Sequence, residues 1–106
     1  MWAVNGNDIK MTEGDYGVAL PITISGTTLT ANDEVRLVIK AAINSEAVVE
    51  KTFGNIQQNT VNLSLTEAES AQLPVGNYVY SLDWYQSGIF MYNVIPWASF
   101  RVGEKA

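Results

Sequence analysis

Carboxylates are the side chains of this 106-residue sequence with the widest catalytic repertoire, because the chain contains no histidine and no cysteine. Their absence removes the commonest general base, the thiol nucleophile, Ser-His and Cys-His devices, and zinc thiolate sites. Asn32, Asp33 and Glu34 form a cluster of oxygen ligands, but the D-x-D-x-D-G spacing of a calcium loop is missing. We therefore interpret the cluster as a turn with a solvated acidic face.

The other candidate groups lack the spacing that chemistry requires. Glu67 and Glu69, or Asp83 with a neighbour, are the available carboxylate pairs for glycoside hydrolysis, and nothing in their spacing supports that reaction. Asn62 begins a glycosylation sequon, but it lies in the middle of a predicted strand. We expect no catalytic residue, no metal site and no cofactor, and a protein that is not an enzyme.

The charge distribution argues against two classes of partner. The formal net charge is −5, and the six basic residues are scattered along the sequence. Nucleic acids and membrane surfaces are both bound through clustered basic residues, so we expect neither as a partner. Residues 1–15 contain neither a basic region nor an apolar run, and a secretory signal peptide is therefore not expected.

Alternation of apolar and polar residues dominates the chain, as it does in half-buried strands. The clearest examples are VALPITIS at 18–25, VRLVIKA at 35–41, TVNLSL at 60–65 and NYVYSLDWY at 77–85. The segment 18–25 should form a strand with two distinct faces. One face carries Val18, Leu20, Ile22 and Ile24, and the other carries Ala19, Pro21, Thr23 and Ser25. In the last, one face carries Tyr78, Tyr80, Leu82 and Trp84.

A short helix is predicted between the last two of these strands. Thr66 and Glu69 have the spacing of a capping box, and Pro74 and Gly76 should end the helix after one or two turns. About seven short strands with no long amphipathic helix predict an all-β fold, an antiparallel β-sandwich of immunoglobulin-like type. We expect residues 1–106 to form a single domain.

The stretch DWYQSGIFMYNVIPWASF, at 83–100, contains six aromatic residues and no charged residue after its first position. A two-residue loop at 87–88 would turn Asn93 toward the core, where an unpaired amide costs about 1–3 kcal/mol. We therefore predict a three-residue loop at 86–88, with Gly88 in a bulge. The predicted pairs are Trp84 with Phe90, Leu82 with Tyr92, and Tyr80 with Val94.

This register gives the hairpin a second, outward side that is unusually apolar. Its members are Tyr85, Ile89, Met91, Ile95 and Trp97. Two interpretations stay open. Either the surface is covered, by the N-terminal segment with Trp2 and Val4, by the helical turn, or through a bulge at Pro96 that turns Trp97 inward, or it is a protein–protein contact face.

A longer pattern extends through most of the chain. Its pieces are GDYGVALPITI, DEVRLVIK, VVEKTF, VNLSLTEAESAQLPVGNYVYSLDW and VIPWASFRV. The pattern resembles the N-terminal domain of phage baseplate upper proteins and similar small domains encoded in phages and prophages of Gram-positive bacteria. The most specific piece is LSLTEAESAQLPVGNYVYSLDW, in which a short turn precedes a strand that opens with G-x-Y-x-Y-x-L.

The resemblance implies an immunoglobulin-like sandwich that serves as an attachment or assembly module of a virion and works as a multimer. The expected partners are other virion proteins or further copies of the chain, in a baseplate, tail, neck or head, after synthesis in the cytoplasm of a bacterial host. A carbohydrate-binding module, with a glycan as its partner, is the alternative, and it would use exposed aromatic residues in a flat row. The candidates for that row are Tyr85, Tyr92 and Trp97.

Overall fold

Eight β-strands and one short α-helix account for the regular structure of the residues that the computed structural model describes, which are 3–17, 20–24, 29–30, 32–54, 56 and 59–104. For residues 3–5 the description covers the backbone alone. The elements are β1 (Ala3–Asn5), β2 (Asp8–Thr12), β3 (Leu20–Thr23), β4 (Asp33–Lys40), β5 (Ala47–Phe53), β6 (Thr60–Leu63), α1 (Glu67–Ala71), β7 (Gly76–Gln86) and β8 (Ile89–Gly103).

The strands form two sheets that enclose one core. The main sheet has the order β1-β2-β8-β7-β4-β5, and β3 pairs with β6 in a second, two-stranded sheet. Buried side chains from both sheets belong to a single apolar cluster, so the predicted all-β sandwich is confirmed. The main sheet is mixed rather than wholly antiparallel, because β2 runs parallel to β8.

The alternation that predicted the strands also decides which side chains reach the core. Along β4 every second residue is buried, and Val35, Leu37 and Ile39 are fully shielded from solvent. In β3 the apolar residues are half-buried while Pro21 and Thr23 are exposed, as expected. The predictions for Val18, Ala19 and Ser25 concern residues outside the described ranges.

The short helix begins as predicted. Thr66 is its N-cap: its hydroxyl accepts a hydrogen bond from the Glu69 amide, and the Glu69 carboxylate accepts one from the Thr66 amide at 2.8 Å. The same carboxylate forms an ion pair with Lys51 of β5 at 2.9 Å, and Lys51 also donates to the Ser64 carbonyl at 3.0 Å. Burial alone would raise the pKa of Glu69, but the bonds from Thr66 and Lys51 outweigh it and lower that pKa. This cluster ties β5 of the main sheet to the segment that leaves the second sheet.

Two tyrosines anchor the start of β7. The Tyr78 hydroxyl donates to the Pro74 carbonyl at 2.7 Å, four residues upstream, which is the arrangement called a tyrosine corner in immunoglobulin-type sandwiches. The Tyr80 hydroxyl donates to the carbonyl of Asn7, in the turn between β1 and β2. Burial and the nearby Asp8 carboxylate raise the pKa of Tyr80 to about 12. Both hydroxyls therefore stay protonated and act as donors at neutral pH.

Replacing Tyr78 with Phe should remove the tyrosine-corner hydrogen bond and leave the Pro74 carbonyl without that donor. We expect the free energy of unfolding to fall by about 1 kcal/mol, measured by urea denaturation. Tyr16→Phe is the matched control, because Tyr16 is exposed and lies outside the strands. Equal midpoints for the two variants would contradict a stabilising role for this bond.

Candidate interaction surface

The β7–β8 hairpin closes through a two-residue turn, so the predicted three-residue loop is wrong. Gln86 pairs with Ile89, and the two residues between them both have positive φ, 51° at Ser87 and 81° at Gly88. Positive φ at both central positions is the geometry of a type I′ turn, which matches the twist of the flanking strands. The Ser87 amide donates to the Asn32 carbonyl at 3.0 Å, which fixes the turn against the residue that precedes β4.

The pairing of β7 with β8 shifts at three places beyond the turn. Each shift leaves one more residue on β8 than on β7, which is the defining feature of a β-bulge. Met91 and Val94 are the extra residues at the first two shifts, and the third lies between Ile95 and Ala98. The observed pairs are Tyr85 with Phe90, Trp84 with Tyr92, Asp83 with Asn93, Leu82 with Ile95, and Tyr80 with Ala98.

These bulges explain why the predicted register fails. Our prediction assumed unbroken alternation, in which only the longer loop keeps Asn93 out of the core. In the structure the bulge at Met91 resets the alternation, and Asn93 lies outward, where it donates a hydrogen bond to Asp83. The amide is satisfied and exposed, so the burial cost that favoured the other register does not arise.

The observed turn and bulges together leave three side chains in surroundings other than those predicted. Ile95, expected on the outward side, is 8% exposed and belongs to the core, opposite Leu82. Phe90 and Tyr92, expected in the core, are exposed. Of the remaining predicted contact residues, Tyr85 is half-buried, while Ile89, Met91 and Trp97 are exposed.

Four consecutive apolar residues at the end of the hairpin are exposed to solvent. We call residues Ile89–Tyr92 the hairpin tip. The exposed fractions are 67% for Ile89, 49% for Phe90, 43% for Met91 and 64% for Tyr92. Because directly paired residues point to the same side of a sheet, Phe90 shares the outward side with Tyr85, and Tyr92 shares the core side with Trp84. The tip therefore offers apolar surface on both sides.

Two cations hold aromatic rings in place on the outer face, by which we mean the side of the main sheet that turns away from the core. The Arg36 guanidinium carbon lies 3.7 Å from the centroid of the Tyr85 ring. The Tyr85 ring meets Phe90 edge to face, with centroids 5.7 Å apart. The Lys40 ammonium lies 5.0 Å from the Trp97 centroid. Trp97 thus stays outside the core, and no bulge turns it inward.

The N-terminal segment was one predicted cover for the apolar side of the hairpin, through Trp2 and Val4. Trp2 and the side chain of Val4 lie outside the described residues. The other proposed cover is the helical turn, whose ion pair with Lys51 places it beside the inward-pointing side of β5. Among the described residues, the tip and Trp97 stay exposed with every described element in place.

Charges on the outer face balance, although the chain as a whole is acidic. Alternation along β2, β4, β5, β7 and β8 directs four acidic and four basic side chains to this face. They are Asp8, Glu34, Glu50 and Asp83, and Lys10, Arg36, Lys40 and Arg101. The formal net charge of −5 therefore arises from the rest of the chain.

Asp33 fastens the base of the hairpin, and the predicted solvated acidic face is wrong at this residue. Its side chain is fully buried, and it accepts hydrogen bonds from the Thr30 amide at 2.6 Å and from the Trp84 indole at 2.8 Å. Burial alone would raise the pKa of Asp33, but the hydrogen bonds from Thr30, Trp84 and Gln86 outweigh it and hold the pKa below its ordinary value. These hydrogen bonds make Asp33 a structural anchor of the hairpin.

Within the described part of the chain, one edge of β8 has no strand partner along most of its length. β7 lies on one side of it, and on the other side β2 pairs only with residues Phe100–Gly103. The Ser99 amide donates to the Asp8 carboxylate at 3.1 Å, at the point where β2 begins. Among the described strands, none pairs with Ile89–Ser99 on that side, so this stretch presents free backbone groups beside the tip.

Within the described part of the chain, no cluster of three or more histidine, cysteine, aspartate or glutamate side chains has the arrangement of a metal site. Nor do the described residues include a helix with the length and apolar character needed to cross a membrane.

No known family model matches the chain, and searches of curated proteins and of solved structures also found no match.

The lowered pKa of Asp33 predicts how the stability of the protein changes with pH. A carboxyl whose pKa is lowered by folding contributes stability that is fully present above its ordinary pKa of about 3.9. The contribution declines as the pH falls toward the lower, folded-state value. We expect Asp33→Asn to be less stable than the native protein at pH 7 by about 1–3 kcal/mol, and to lose less of its stability between pH 5 and pH 2, measured by urea denaturation at each pH.

Glu34→Gln provides the control, since the neighbouring Glu34 is half-buried on the outer face. It should stay within about 0.5 kcal/mol of the native protein at pH 7, as surface substitutions commonly do. An acid profile of Asp33→Asn that parallels the native profile would contradict the anchoring role of the Asp33 carboxylate.

Proposed function

We propose that this protein is a non-enzymatic assembly module of a phage or prophage particle, and that it works through protein–protein contacts of the hairpin tip and the adjoining outer face. The observation that carries the proposal is the run of four exposed apolar residues, Ile89–Tyr92, on a hairpin fastened at its base. Large exposed apolar patches on soluble proteins mark interaction sites.

The energetics favour a contact at this place. Burying one large apolar side chain contributes about 1.5–3 kcal/mol, and the tip offers four such side chains. Aromatic residues and methionine are enriched at protein interfaces, and the tip contains Phe90, Met91 and Tyr92. Arg36 and Tyr85 restrict Phe90 from beneath, so little side-chain freedom remains to be lost when a partner binds.

The assignment to a phage or prophage particle comes from the sequence resemblance. The segment that carries it most specifically, LSLTEAESAQLPVGNYVYSLDW, contains the capping box of α1 and the tyrosine corner of β7. These features stabilise a sandwich and carry no catalytic group. They are compatible with an immunoglobulin-like attachment or assembly domain, which is the kind of domain that the resemblance implies.

The carbohydrate-binding alternative receives less support from the geometry. Its three candidate aromatic residues do not form one row, because Tyr92 pairs with Trp84 and points to the core side, whereas Tyr85 and Trp97 belong to the outer face. Sugars stack on open ring faces, but one face of Tyr85 is occupied by Arg36 and one face of Trp97 lies against Lys40. A protein contact through the tip uses the residues that are exposed.

Co-expression with the products of neighbouring genes tests the proposal. The double variant Phe90→Ser, Tyr92→Ser removes the two aromatic rings from the tip, and Ile43→Ser removes an equally apolar exposed residue from the turn between β4 and β5. We expect a partner that co-purifies with the native chain to bind the double variant at least tenfold more weakly by calorimetry. Ile43→Ser should bind as the native chain does.

Two results would contradict the proposal. The first is equal affinity of the double variant and the native chain for every co-purifying partner. The second is a glycan that quenches tryptophan fluorescence of the native chain while no protein partner co-purifies, which would favour the carbohydrate-binding alternative. Urea denaturation of both variants checks that the substitutions leave the fold intact.

A further inference from the structure

The unpaired edge of β8 beside the hairpin tip is an independent feature of the surface. A free strand edge exposes amide and carbonyl groups that pair with an added strand. The main sheet ends at β1 and at β5. The edge strand β5 carries Glu50 and Lys51, and charged residues on an edge disfavour strand pairing. The segment Ile89–Ser99 carries no charge at all.

Proline limits the part of this edge that a partner strand can use. Pro96 has no amide hydrogen and cannot donate to a partner. The residues before it, Ile89–Ile95, all carry an amide hydrogen; the segment begins at the type I′ turn and contains the bulges at Met91 and Val94. The available segment thus coincides with the tip and the three residues that follow it.

We propose that a second copy of this chain occupies this edge, with the two Ile89–Ile95 segments paired antiparallel about a twofold axis at Tyr92. This proposal rests on the proposed function and specifies the partner in the contact. Antiparallel pairing about a twofold axis places the same surface on both sides. In this arrangement Tyr92 lies opposite its own counterpart, and Ile89 lies opposite Ile95 of the other copy.

Charge favours a second copy as the occupant of this edge. Two chains that each carry a formal charge of −5 repel one another over most of their surfaces. The paired segment is uncharged, and the eight charged side chains of the adjoining outer face balance. This is therefore the region where two copies approach without net repulsion. Salt should strengthen the pairing modestly, because it screens repulsion between the remaining acidic surfaces.

Sedimentation equilibrium of the full chain, from about 1 µM to about 1 mM, measures the pairing directly, since this range covers the dissociation constants of weak complexes. We expect the native chain to approach twice the monomer mass. Met91→Lys places two positive charges next to the axis, and it should raise the dissociation constant at least tenfold. The matched control is Ile43→Lys, which makes the same charge change away from β8 and should pair as the native chain does.

Single cysteines test the geometry, because the chain has none of its own. Residues opposite each other across antiparallel strands lie about 4.5–5.5 Å apart, within reach of a disulfide. Tyr92→Cys should therefore give a covalent dimer on mild oxidation. Ile89→Cys should not, because the two copies of position 89 lie about 20 Å apart at roughly 3.3 Å per residue.

The outcomes separate this inference from the proposed function. A native chain that stays monomeric to about 1 mM overturns the self-pairing, while the co-purification test of the tip still stands. A dimer cross-linked through Ile89→Cys and not through Tyr92→Cys overturns edge pairing in favour of contact between tips. If Met91→Lys and Ile43→Lys change the dissociation constant of the dimer equally, the interface lies away from β8. That result also overturns the inference.

Discussion

The three extra residues of β8 are the constraint on which the surface of this protein depends. Each bulge adds a residue that has no partner on β7, and each one resets which side chains point to the core. The two-residue turn puts Phe90 on the outer side, the extra Met91 keeps Asn93 out of the core, and the extra Val94 returns Ile95 to the core. Without these two bulges, the same turn would direct Met91 and Asn93 to the core side, opposite Trp84 and Leu82. An apolar surface arises here from strand pairing as much as from composition.

An exposed apolar hairpin needs support from the rest of the fold, and two polar contacts at its base provide it. The Asp33 carboxylate joins the Trp84 indole to the loop before β4, and the Ser87 amide bonds to the carbonyl of Asn32 in the same loop. Trp84, within β7, and Ser87, in the turn that follows it, are thus both bonded to residues at the start of β4. The Arg36 guanidinium stacked on Tyr85 adds a third contact from the outer face. The tip consequently rests on the rigid centre of the main sheet rather than on a loop.

Local patterns predicted the elements of this fold well, and long-range contacts account for what they missed. The alternation along β4 and the Thr66–Glu69 capping box depend on neighbours in the sequence, and both are confirmed. The burial of Asp33 depends on Trp84, which lies 51 residues away. The parallel pairing of β2 with β8 and the bulges in β8 also depend on distant strands. Of the five predicted contact residues, Ile95 was misplaced because the turn has two residues rather than the predicted three; the two bulges that precede Ile95 shift its partner but not the face it occupies.

Bulges and proline on an edge strand usually prevent uncontrolled sheet growth, and both are present in β8. Pro96 restricts pairing to the residues before it, and β2 covers β8 from Phe100 onward. Antiparallel pairing about a twofold axis uses the same edge of both copies, so it closes at two chains. The end strand β5 carries Glu50 and Lys51, charges that disfavour pairing at that edge. A pairing confined to this edge would therefore give a closed dimer rather than a fibre.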